Sequence, residues 1–243
     1  MFQQKNPGFY DITQQQTNAL SLSKTFLSNV FSWMFLGLLA TSGTAYIFAN
    51  NQSLLSLLVT ETGLSVLGWV VMLAPIGFVL LMSFGFQRLS STAMIVLFLV
   101  YSILMGMSLS FIFLAYNFGS IVSTFAISAG MFGTMAILGY TTKTDLTRFG
   151  SIMIMGVVGI VIASFVNLLI IKSSAFDYLI SLLGVLIFTG LTAYDVQKLK
   201  RIGSGVEIEG ESTRKLVIMG ALTLYLDFIN LFLFLLRFLG NRR

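Results

Sequence analysis

Two aspartates stand where the surrounding sequence is otherwise almost wholly apolar. Asp195 lies in FTGLTAYDVQKLK and Asp227 in GALTLYLDFINLFLFLLRFLG. An Asp at the centre of a membrane helix costs about 2.5–3.5 kcal/mol on the insertion scale, whereas each Leu, Ile, Phe or Val contributes about 0.3–0.6 kcal/mol in favour. The flanking residues can carry that cost, and a carboxylate kept in such a place marks an ion pathway, a proton relay or a buried ion pair. Spacing adds polar company. Thr223, Asp227 and Asn230 fall on one helical face, and Thr192 precedes Asp195 by about one turn. The chain contains no His and no Cys, so imidazole bases, thiolate nucleophiles, Ser-His triads and the usual zinc sites are all excluded. Proton chemistry within these helices falls to the two carboxyl groups.

The elements that must position them follow from the composition. Of 243 residues 56% are hydrophobic and 9% charged, and the mean hydropathy is +0.92. Soluble domains carry roughly 25% charged residues, so the solvent here is lipid. Crossing the hydrocarbon core takes about 20 apolar residues in a helix. Seven such runs occur, at 26–49, 63–86, 92–116, 120–142, 149–171, 177–197 and 216–238. Their short connections predict antiparallel helical hairpins in one all-α multi-pass domain spanning 26–243. The preceding residues 1–25 are polar and Gln-rich, and read as a mobile, uncleaved tail.

Charge sets the expected orientation. With the tail in the cytoplasm, the inside segments hold Lys5, Lys24, Arg88, Lys143, Arg148, Lys198, Lys200, Arg201, Arg214 and Lys215, whereas the outside loops between helices hold only Lys172. This is the positive-inside pattern. Seven complete crossings would place Arg237, Arg242 and Arg243 outside, so either the first six helices outweigh the last tail or the last segment stops short. Small residues at helical spacing predict close helix approach at Ser102, Gly106 and Ser110, and again at Gly156, Gly159 and Ala163. Pro75 predicts a kink, with a hinge as the alternative. Arg88, at the cytoplasmic end of the second span, has the depth to pair with Asp195 or simply to anchor its loop.

The segments TAYDVQ around Asp195 and LYLDFINLFLFLLR around Asp227 resemble the transmembrane Bax inhibitor motif family, also called Bax inhibitor-1-like. The seven-span pattern and short loops agree with that resemblance. It implies six helices around a central seventh, with Asp195 and Asp227 paired near the cytoplasmic mouth. It further implies a pH-sensitive calcium leak in a bacterial inner membrane, with Arg88 as the candidate latch on Asp195. Bacterial relatives are also associated with restraining a membrane-bound ATP-dependent protease, so the alternative is a regulatory binding protein using the polar tail. Counted from the start of the last span, Asp227 lies about 16 Å along its helix, so a close pair needs that helix tilted or set toward the cytoplasm.

Two adjoining carboxyl groups in a low dielectric do not both ionise freely, so such a pair shares a proton and acts as a pH switch. When ionised, Asp195 and Asp227 with Asn230 would offer calcium a weak and transient oxygen site. The expected partners are therefore the lipid bilayer, calcium ions, protons and that protease, with no cofactor and no nucleic acid. Enzymatic readings fare poorly. An intramembrane aspartyl protease would share Tyr194–Asp195, but LYLD around Asp227 lacks the glycines of GxGD, and the prolines are only Pro7 and Pro75. A retinal pump fails for want of a Lys in the seventh span. Glu207, Glu209 and Glu211 alternate in a Gly/Ser-containing loop without a calcium-loop pattern, and read as solvated charge.

Overall fold

The computed structural model describes residues 7–60, 63–206 and 210–242, with side chains from Ser21 onward. Helix α1 covers Pro7–Asn50, followed by the short α2, Gln52–Leu58, and a minimal antiparallel hairpin of β1, Val59–Thr60, and β2, Gly63–Leu64. Then come α3 (Val66–Gly85), α4 (Ser91–Leu109), the single turn α5 (Ile112–Ala115), α6 (Phe118–Thr141) and α7 (Thr147–Val166). A π turn at Asn167–Ile171 leads into α8, Ser174–Ser204, and the described helices end with α9, Glu211–Leu239. Seven of these helical stretches are long and apolar enough to cross a membrane. The protein is an all-α membrane protein.

Local sequence explains most boundaries. Ser65, Ser90 and Ser173 cap α3, α4 and α8 by accepting the amides of Gly68, Ala93 and Phe176, which satisfies donors that a helix start leaves open. Between α7 and α8 the chain turns through Lys172 at φ 52. Asn167 closes that turn by donating to the Ser173 carbonyl and accepting its amide, at 3.2 and 3.0 Å. At the N-terminus the first helix begins well before the apolar run. The polar stretch before residue 26 is helical from Pro7 and continuous with the first span, because Gln, Ala, Leu and Lys are adequate helix formers and extending an existing helix avoids the cost of nucleation. Ser23, within that extension, is buried and donates to the Lys200 carbonyl at 3.1 Å.

The centre belongs to two helices. In the most apolar windows of α8 and α9, 61% and 67% of residues are buried, against 6% for the span containing α7. α8 packs on α1, α6, α7 and α9, while α9 packs on α1, α4, α6 and α8; six helices around the last one stays an expectation of the family resemblance. The outer helices show Ile154, Met155, Ile162 and Phe165 to their surroundings, as lipid permits. Small residues make the close crossings. A Cβ at Gly106 would lie 2.5 Å from the Thr41 carbonyl of α1, and one at Gly139 of α6 would collide with the Ala193 carbonyl of α8. The ladder expected at Gly156, Gly159 and Ala163 is only partly used, since Gly156 faces Ile187 but Gly159 has open space around it. Pro75 is buried inside a helix that runs unbroken from Val66 to Gly85.

Candidate functional site

Asp195 sits nine residues before the end of α8, and Asp227 sits sixteen residues into α9. The two helices are antiparallel neighbours, so the seven-residue offset corresponds to about 10 Å along the axes. Both helices run beyond the expected spans, α8 to Ser204 and α9 back to Glu211. The two carboxyl groups face one another across the α8–α9 interface. They are 8% and 5% exposed. Asp227 Oδ2 is fully enclosed and meets no donor among the described residues. The cation whose charge acts on Asp195 is Lys198, three residues further along the same helix and itself exposed.

The other residues expected at the site behave differently. Arg88 lies exposed in the turn after α3 and makes no ion pair among the described residues, so it does not latch Asp195 in this conformation. Thr192 donates to the Phe188 carbonyl at 2.8 Å, Thr223 to Met219 at 3.0 Å, and Asn230 to Leu226 at 2.8 Å. Each turns back on its own helix, an option that always competes for a hydroxyl or amide four residues after a carbonyl. The supporting polar face is thus internal to the helices. Among the described residues no cluster of three or more acidic groups could hold a metal. Two carboxylates fall well short of the six to eight oxygens of a tight calcium site.

Several supports were not foreseen. Gln197 donates to the Thr144 carbonyl at 2.8 Å and accepts the Leu146 amide at 2.9 Å, tying α8 just past Asp195 to the α6–α7 connection. Lys200 reaches the Tyr140 carbonyl at 2.7 Å and lies over its ring. Arg201 pairs with Asp145 at 2.5 Å and bonds Gln197 at 2.7 Å. Hydrogen bonds from Thr147 and Arg201 hold the exposed Asp145 carboxyl below the usual carboxylate range. A sequence signal existed in the i, i+4 pair Gln197 and Arg201, whose side chains share a helix face. A second polar cluster lies on another side of α9, where Tyr225 and Thr41 hydroxyls meet at 2.6 Å and Thr41 donates to the Ser102 carbonyl.

A bundle of seven membrane-length helices with an enclosed acidic pair between its two most buried members defines a class of multi-span membrane protein. The family model described as inhibitor of apoptosis-promoting Bax1 matches residues 23–243. The chain belongs to this family, the Bax inhibitor-1-like membrane proteins. It is 46% identical over 221 residues to the inner membrane protein YbhL of Escherichia coli, covering 90% of this chain and 93% of that protein. It is also 46% identical over 233 residues to an uncharacterized protein of Borreliella burgdorferi, covering 96% and 98%. An uncharacterized membrane protein of Streptococcus pyogenes is 34% identical over 218 residues, covering 89% and 92%.

Proposed function

We propose that this protein is a non-enzymatic, proton-sensitive cation leak of a bacterial inner membrane, with calcium as the expected ion and Asp195–Asp227 as sensor and gate. The observation that carries this reading is the contact of two enclosed carboxyl groups across the α8–α9 interface. A shared proton joins them and holds the helices together. Loss of that proton leaves like charges in a poorly solvated place, which drives the helices apart or draws in a cation. Arg88 is the candidate latch for the ionised Asp195. The inner-membrane assignment draws support from the printed name of the Escherichia coli relative, and the cytoplasmic N-terminus from the basic residues gathered at one end of the bundle.

The test is calcium flux through purified protein in liposomes between about pH 5 and 8, for the wild type, Asp195→Asn, Asp227→Asn and the double variant. Either single variant is expected to abolish the pH response, with little added by the second, because the two groups act as one unit. Wild-type pH profiles in both single variants would exclude the pair as the sensor. Arg88→Ala is expected to raise leak at neutral pH in a folded protein, and unchanged flux returns Arg88 to a loop anchor.

A further inference from the structure

Away from the acidic pair, the middle of α1 and the first turns of α4 and α9 line a partly open cavity of about 350 Å³. Its volume is that of a small-molecule site. Its lining includes the apolar Phe26, Trp33 and Ile218 and the polar Thr25, Asn29 and Arg214. Arg214 is exposed and makes no ion pair among the described residues, whereas its neighbour Lys215 reaches Glu211 at 3.8 Å and Arg201 is taken by Asp145. A guanidinium without an ion-pair partner among the described residues, in a lining otherwise rich in aromatic and aliphatic groups, repels a cation and fits an anion carrying a hydrocarbon chain. We propose that this cavity binds an anionic membrane lipid, its phosphate on Arg214 and an acyl chain against Phe26, Trp33 and Ile218.

The location favours a lipid of the bilayer as the occupant. The cavity lies at the end of the bundle where α8 finishes and α9 begins, the end that carries Lys198, Lys200, Arg201 and Lys215, with Asp145 on Arg201 and Glu211 on Lys215 and with Glu207 and Glu209 in the connecting sequence. Basic residues at the edge of a membrane domain attract anionic lipids by about 1 kcal/mol each, which corresponds to roughly a five-fold preference per charge. Arg214 also offers a planar fork of donors that matches phosphate oxygens better than a point charge would. Since α9 carries both Arg214 and Asp227, occupancy would bear on the acidic pair. That consequence rests on the leak reading, and the binding itself does not.

Trp33 makes the site readable. The chain has two tryptophans, and Trp69 is exposed on α3, so Trp69→Phe leaves Trp33 as the reporter in the full-length protein. In phosphatidylcholine bilayers, phosphatidylglycerol with brominated chains should quench Trp33 at about five-fold lower mole fraction than equally brominated phosphatidylcholine. Arg214→Gln should remove the preference and Arg214→Lys should keep part of it. Val217→Phe, which fills the cavity, should abolish the excess quenching, with unquenched Trp33 emission and helical content as the folding controls. Equal quenching by the two lipids, or a preference that survives Arg214→Gln, overturns the proposal. Arg214-dependent quenching by a brominated fatty acid but not by the phospholipid overturns it too, assigning the cavity to a free acid.

Discussion

The two ends of the α8–α9 hairpin treat an acidic side chain in opposite ways. At the end where α8 begins, Asp177 is partly exposed and is met by Arg237 at 3.3 Å and Arg242 at 3.9 Å. Arg242 also lies over the Tyr116 ring and shares a backbone bridge with it. Toward the other end, Asp195 meets Asp227, and both are enclosed. The first arrangement joins unlike charges in contact with solvent and contributes little net stability. The second joins like groups away from solvent, so its integrity depends on a proton. The Asp177 cluster also explains the arginines near the C-terminus. α9 runs unbroken to Leu239, and Arg237 and Arg242 both find an acidic partner in Asp177.

The contrast is broken most completely by removing the proton dependence. Asp227→Asn should flatten the flux profile between about pH 5 and 8, while Asp177→Asn should leave its shape intact. Asp145 supplies a control for the same window. Its folded form titrates below the ordinary carboxylate range, so its contribution to stability is present above that range and is lost only as the pH falls through the depressed value. It stays ionised across the assay, and a pH response that disappears in Asp145→Asn would point away from the acidic pair.

The next effect is on stability. Gly139 crosses α8 at Ala193, two residues before Asp195, with no room for a Cβ. Gly139→Ala must push α6 from α8 and should cost about 1–3 kcal/mol, seen as a lowered Tm in detergent. At the opposite end Arg237→Gln should cost under about 1 kcal/mol, because both partners of that ion pair reach solvent. Equal losses at the two ends would remove the distinction between a packed crossing and a solvated clasp.

The spans were legible because lipid imposes a length and a composition on any helix that crosses it. All seven are present within a few residues at most boundaries, and the largest departures lie where α1, α8 and α9 continue past the apolar runs. Hydropathy ends where the lipid ends, but a helix with good formers does not. Asp195 and Asp227 stood out by their insertion cost. Their contact did not follow from counting, since it depends on how far each helix protrudes. Thr192, Thr223 and Asn230 shared the expected faces, yet a shared face says nothing about whether a side chain bonds outward or to its own helix. Arg88 had a suitable depth, and depth alone does not bring a side chain from the turn after α3 to α8.

The smallest expected effect tests where the bundle stops and lipid begins. Gly159 lies on α7, whose span is the least buried of the seven, and no atom outside its own helical surroundings stands within 4 Å of the position its Cβ would take. Sequence placed it in a packing ladder, whereas the structure turns it outward. Ala is the better helix former by about 1 kcal/mol, so Gly159→Ala should raise the Tm slightly or leave it unchanged and should not alter flux. A clear loss of stability in bilayers, absent in detergent monomers, would mean that this face packs against another protein surface. The contrast between an occupied centre of α8 and α9 and a lipid-facing α7 would then fail at the helix on which it is most pronounced.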